Sequence, residues 1–264
     1  MQSAVPFFRE VGDGPGVVCI HANASGSSQW RGLMELLAPK FRVLAADGYG
    51  AGKGPPWPAA PLALRDEVAL LDPVFARAGD RFVLVGHSYG AAVALVAATL
   101  QPHRVRALAL YEPTLFSLVD AAVPPPNDAD GIRDAVARAS AALEAGDADS
   151  ASRHFIDFWM GGGAWDATPE LRKAPIAASI ANVRGWAAAL LGEPTPLRAF
   201  AALDIPVLYM TGSNSPASSL AVARLLAPAL PRVKQLAFDG LGHMGPVTHP
   251  QPVNAAIADF LDRL

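Results

Sequence analysis

Seven short β-rich runs alternate with longer stretches of helical periodicity, and this alternation limits the fold class more than any other feature of the chain. The strand-like runs are residues 6–11, 17–21, 42–46, 82–85, 105–110, 206–210 and 234–238. Helical patterns occupy 28–38, 62–78, 89–100, 218–229 and 252–264. Parallel strands need crossover helices, so the order predicts an α/β fold: a mostly parallel sheet with helices on both faces. The alternation breaks after Leu110. From 117 to 198 no strand pattern occurs. Pro124-Pro125-Pro126-Asn127 reads as a linker, 131–145 and 148–159 as helices, Gly161-Gly162-Gly163 as a break, and 176–191 as one further helix. The expected organisation is a core of residues 1–116 and 199–264, with a helical cap of 117–198 inserted into it. Such an insertion lies over the carboxyl edge of the sheet, where open α/β sheets place their ligands.

Of the 264 residues 52% are hydrophobic and 17% charged, enough apolar mass for a sizeable core. The net charge of −3 gives no reason to expect nucleic acid or an anionic membrane as partner. The longest apolar stretch, 91–100, is too short to span a bilayer. The stretch from Met1 to Glu10 has no basic segment followed by an apolar run, so no secretory signal is read and a cytoplasmic location is expected. Cys19 is the one cysteine, which excludes an intrachain disulfide and a cysteine metal cluster; it reads as an inert core residue. The six histidines are scattered and no G-x-G-x-x-G follows a strand, so neither a metal nor a dinucleotide cofactor is expected. The expected partner is a small-molecule substrate.

Gly86-His87-Ser88-Tyr89-Gly90 joins a strand pattern directly to an apolar helix pattern. A serine at such a corner projects above the sheet edge, and the two glycines let the flanking backbone pass close by. The helix start aims free N–H groups at the place where an oxyanion would form. The competing reading makes Ser88 a plain helix cap. A serine nucleophile needs a base. His243, in the glycine-rich loop Gly240 to Gly245 after the last strand, is the candidate; its competing reading is a solvated loop histidine. Two donors for an oxyanion are expected from the backbone N–H groups of Tyr89 and of Asn23, the latter in the loop His21 to Gly26. His21 reads as a brace for that loop.

On these residues the chain resembles the α/β-hydrolase superfamily. The resemblance is specifically to its capped branch of esterases, C–C bond hydrolases, haloperoxidase-like enzymes and haloalkane dehalogenases. It covers nearly the whole length. Its marks are His21-Ala22-Asn23, Asp47-Gly48-Tyr49-Gly50-Ala51-Gly52, the elbow at Ser88 and Gly242-His243-Met244. It implies a structural role for Asp47. The chain departs from the pattern at the acid: the family usually carries an Asp where Ser215 stands, in Gly212-Ser213-Asn214-Ser215-Pro216. Glu112, in Leu110-Tyr111-Glu112-Pro113, sits at an alternative acid position that some members, many dehalogenases among them, look to use. Glu112 is therefore expected as the partner that orients His243. Its other reading is a structural carboxylate bonded to backbone N–H groups, which leaves a Ser-His dyad assisted by Ser215 or water. Asp239 reads as a turn residue. Dehalogenases and epoxide hydrolases of this fold use an Asp at the elbow, which sets both aside here.

Phe155, Trp159, Trp165 and Trp186 are candidates to line a substrate pocket, with Phe116 and Met244 near its floor; the alternative is that the aromatic residues form the cap's own core. Two functions follow. One is hydrolysis of a small, apolar carboxylic ester through an acyl-enzyme, with C–C cleavage or acyl transfer open to the same residues. The other is small-molecule binding or sensing with weak or no turnover, motivated by the empty acid position.

Overall fold

The computed structural model describes residues 5–264, so the first four residues of the stretch read for a signal lie outside it. The seven strands are β1 (Phe8–Val11), β2 (Gly16–Ile20), β3 (Arg42–Ala46), β4 (Phe82–His87), β5 (Val105–Tyr111), β6 (Val207–Gly212) and β7 (Val233–Phe238). They form one sheet in the order β1-β3-β2-β4-β5-β6-β7. Only β1 runs antiparallel to its neighbour; every other pairing is parallel.

Period-two alternation splits the core between the faces. Val18, Ile20, Phe82, Leu84, Leu108 and Leu110 pack on one side. Val17, Cys19, Val83, Val85, Ala107 and Ala109 pack on the other. The first face is covered by α2 (Leu64–Ala78) and α3 (Tyr89–Leu100), the second by α1 (Arg31–Leu37) and the carboxyl-terminal helix Pro250–Leu261. Helix α3 is buried from Tyr89 to Ala98, and its small side chains let it lie close against the central strands.

The strands β4, β5 and β6 run one or two residues beyond their apolar patterns. Gly86 and His87 interrupt the pattern yet pair in register with Leu110 and Tyr111. That extension carries the chain to the carboxyl edge before it turns.

Between β5 and β6 lie α4 (Phe116–Ala122), α5 (Asp130–Glu144), α6 (Ala148–Met160), α7 (Glu170–Ile180), α8 (Val183–Leu191) and α9 (Leu197–Ala201). No strand interrupts them. The single helix predicted over 176–191 is in fact two, bent by 55° at Ala181-Asn182. The bend turns Val183, Trp186 and Leu190, spaced for one helix face, towards the interior. Helix α4 carries no long periodic pattern and was not predicted; it buries Phe116, Leu118 and Val119. The remaining helices are α10 (Ala217–Leu226), α11 (Gly245–Thr248) and α12, the Pro250–Leu261 helix named above. Among the described residues no single helix is long and apolar enough to cross a membrane.

Candidate active site

Ser88 stands in the turn between β4 and α3 with φ 57° and ψ −117°. That conformation costs a non-glycine residue roughly 1–3 kcal/mol and persists only where its surroundings over-determine it. Here they do. The Ser88 N–H donates to Tyr111 O at 2.9 Å, and Ala91 and Ala92 donate to Ser88 O at 3.0 Å. The flanking glycines are required by contact: a Cβ on Gly90 would lie 2.4 Å from Ile20 O, and one on Gly86 2.5 Å from the Ala91 Cα. The Ser88 hydroxyl makes no capping bond to its helix.

The hydroxyl instead meets His243, whose Nε2 lies 2.9 Å from Ser88 Oγ. The other ring nitrogen, Nδ1, lies 2.6 Å from Glu112 Oε2. A carboxylate accepts, so Nδ1 carries the proton, and Nε2 is left to accept from the serine. All three residues are buried. Glu112 follows β5 directly and, like Ser88, has a positive φ, 45°. Its Oε1 accepts from the Gly212 N–H at 2.7 Å and from Ser215 Oγ at 2.6 Å. Both readings of Glu112 are thus physically present: it bonds a backbone N–H and it bonds the imidazole. Ser219 Oγ lies 3.2 Å from His243 Nδ1 as a further partner. Asp239 is an exposed turn residue that accepts from Ser213 Oγ.

A second network braces the loops that carry these groups. Gln29 Oε1 accepts from the Ala22 N–H at 3.2 Å. Gln29 Nε2 donates to His87 Nδ1 at 3.1 Å, and His87 Nε2 donates to His243 O at 2.8 Å. The adjacent carbonyl, Gly242 O, accepts from the Tyr111 hydroxyl at 2.8 Å. Burial, and then the neighbouring His243, hold His87 well below the usual histidine range, so its Nδ1 stays an acceptor. Gln29 and His87 escaped the sequence reading because the network joins segments that only the fold brings together.

His21 donates from Nδ1 to Ala22 O at 2.7 Å and accepts from the Gly48 N–H at 3.1 Å, bracing the same loop. Asp47 accepts from the backbone N–H groups of Ser27 and Lys53, which fits the structural role that the resemblance implied. Among the described residues the backbone N–H groups of Asn23 and Tyr89 have no intramolecular acceptor. The Tyr89 side chain points away from the serine, to Glu67 Oε1 at 3.4 Å.

Ser88, His243 and Asn23 border a cavity of about 380 Å³. Phe116, Trp159, Trp186 and Met244 all border it, as does Phe155. Trp165 does not. It packs inside the inserted helices, where its Nε1 donates to Asp149 at 2.7 Å. The ring of Trp159 stacks on the imidazole of His243, with centroids 4.0 Å apart and planes at 27°. Among the described residues no group of three or more His, Cys, Asp or Glu side chains is placed to hold a metal.

Residues 15–250 match the family described as alpha/beta hydrolase fold. Over 253 residues the chain is 26% identical to the pimeloyl-(acyl-carrier protein) methyl ester esterase of Edwardsiella ictaluri (strain 93-146), a match covering 93% of each protein. A 112-residue stretch is 36% identical to a haloalkane dehalogenase of Agrobacterium fabrum, spanning 41% of this chain and 36% of that relative's length. Among solved structures, an alpha/beta hydrolase from Sphaerobacter thermophilus DSM 20745 superposes with a TM-score of 0.75 at 26% identity, over 97% of this chain and 96% of that one.

Proposed function

The chain belongs to the alpha/beta hydrolase fold family, and from that premise we propose that it is a serine hydrolase cleaving a carboxylic ester with an apolar arm. One observation carries the reading. Ser88, His243 and Glu112 form an unbroken hydrogen-bonded line that opens onto a largely apolar cavity.

In this reading Ser88 Oγ attacks the ester carbonyl while His243 Nε2 takes its proton. Glu112 holds the resulting imidazolium through Nδ1–H. The Asn23 and Tyr89 amides receive the oxyanion, a stabilisation whose loss costs roughly 10²–10³ in rate per donor. Collapse of the tetrahedral intermediate returns the proton from Nε2 to the leaving alcohol and leaves an acyl-Ser88 ester. Water then attacks that ester with His243 again as base, which frees the acid and restores the serine. The helices of residues 117–198 act as the cap, and Trp159 shields the imidazole from solvent. The reading as a binding protein without turnover was motivated by the serine at the usual acid position. The Glu112–His243 bond, from the residue that follows β5, supports the hydrolase reading over that one.

The test is a series of p-nitrophenyl esters of rising acyl length, with a fluorophosphonate probe in parallel. The expected result is turnover with stoichiometric labelling, both abolished in Ser88→Ala. Tight ligand binding with neither turnover nor labelling would favour the sensing reading instead.

A further inference from the structure

The route from Ser88 to the protein surface has an uneven charge. The chain carries 24 acidic against 21 basic residues. Yet among the described residues no Asp or Glu borders either the cavity or the groove beside its mouth. That groove, of about 700 Å³, runs along α1 and the start of α12, and shares Ser25, Arg172 and Val247 with the cavity. Arg31 lies in its wall, with the polar side chains of Ser28, Gln251 and Asn254. Arg172, on α7, stands where cavity and groove join. Neither Arg31 nor Arg172 forms an ion pair with any described residue.

The cavity interior differs. Its one further cation, Arg133, is already paired with both Asp120 and Asp130. The rest of its wall is mostly aromatic and aliphatic. An anion brought inside would lose its hydration and find no unpaired charge in exchange. An anion left at the mouth would keep water and meet two unneutralised guanidiniums, whose forked N–H groups suit carboxylate and phosphate oxygens. The site is therefore divided: an apolar chamber at the serine, and a more polar groove with two unpaired arginines outside it.

We infer that the mouth and groove form a subsite for a compact anion, so that the substrate is an ester with one apolar arm and one arm ending in a carboxylate or a phosphate. This rests on the ester-hydrolase reading and narrows its substrate class. The apolar arm enters the cavity, the carbonyl meets Ser88, and the charged end stays in the groove against Arg172 and Arg31.

The experiment compares butyrate esters of phenol, of 4-hydroxybenzoate and of 4-hydroxyphenyl phosphate, together with phenyl hemiglutarate, which carries the charge on the acyl arm. The quantity read is kcat/KM for each anionic ester divided by that for its neutral counterpart. Wild type is expected to favour at least one anionic ester by about tenfold, the scale of a charge-assisted bond. That ratio should fall about tenfold in Arg172→Glu and Arg31→Glu, and less in Arg172→Gln. It should hold in Arg232→Glu, the same charge change at an exposed position outside both cavity and groove. Raising salt from about 20 mM to about 0.5 M should lower the wild-type preference. The 4-hydroxybenzoate and hemiglutarate arms against the phosphate arm identify the anion. A wild-type ratio at or below one, or ratios that fall no further in the Arg172 and Arg31 variants than in Arg232→Glu, would overturn the subsite. If no ester is cleaved, the hydrolase reading fails separately. The subsite is then judged by calorimetric binding of 4-hydroxybenzoate and phenyl phosphate to Ser88→Ala, expected to weaken in Ser88→Ala/Arg172→Glu; equal binding by the two would overturn it.

Discussion

Ser215 donates a 2.6 Å hydrogen bond to Glu112 Oε1, from the place where the resemblance read in the sequence implied an acid. The serine at that position thus supports the carboxylate that faces His243 rather than leaving a gap. The Gly212 N–H makes the second bond to the same oxygen, so Oε2 is left for the imidazole. The two halves of the carboxylate have separate tasks, and they can be separated by mutation.

Glu112→Gln keeps the shape but offers His243 a neutral amide. Ester turnover is expected to fall by about 10³–10⁴, as when a triad acid is neutralised elsewhere. Ser215→Ala removes one bond to a charged group and should lower stability by about 1–3 kcal/mol with turnover kept within about tenfold. Glu112→Gln/Ser215→Asp returns a carboxylate from the usual side and should regain at least about tenfold over Glu112→Gln alone. Steady-state kinetics and urea unfolding read all three. Full activity in Glu112→Gln would remove Glu112 from the mechanism.

The Gln29 amide joins the loop of the expected oxyanion donor to the loop of the proposed base, His243, through His87. Gln29→Met keeps the volume and loses two neutral bonds, each worth about 1 kcal/mol, so kcat should drop about tenfold or more while KM moves much less. Gln29→Glu keeps the acceptor for Ala22 but sets a second acceptor against His87 Nδ1, drawing a proton there. A second ionisation should then enter the acid limb of the kcat/KM profile, and the His87 ring should titrate by ¹⁵N NMR. A one-proton limb and unchanged kcat in both variants would make the network incidental to catalysis.

Glu67 is buried beside Tyr89, and burial raises its carboxyl to about 7 from the ordinary 4.5. The folded protein therefore holds this proton over a pH range where the unfolded chain has released it. The resulting stability is fully present below about pH 4.5 and is lost as pH rises towards about 7. At 1.36 kcal/mol per pH unit, the loss is at most roughly 3 kcal/mol. Glu67→Gln has no such proton to lose. Its stability relative to wild type should rise between pH 5 and pH 8 in parallel denaturant titrations, and a constant difference would contradict the assignment.

Much of this was legible in the chain because local pattern and fold agree there. All seven strands fall on the short β-rich runs, and Ser88 is flagged by glycines whose need is steric and local. The misreadings have physical causes. Trp165 and Trp159 look alike in sequence, but Asp149 and Asp157 capture Trp165 inside the inserted helices. Residues 176–191 keep helical composition across the bend, so composition alone does not mark it. Gln29 and His87 have no local signature at all, since their partners are distant in the chain.

The stacked pair of Trp159 and His243 has one more implication. The indole belongs to α6, in the insertion, whereas the imidazole belongs to the loop after β7. The insertion therefore supplies part of the immediate surroundings of the imidazole, so any substitution that shifts α6 also changes the environment of that ring.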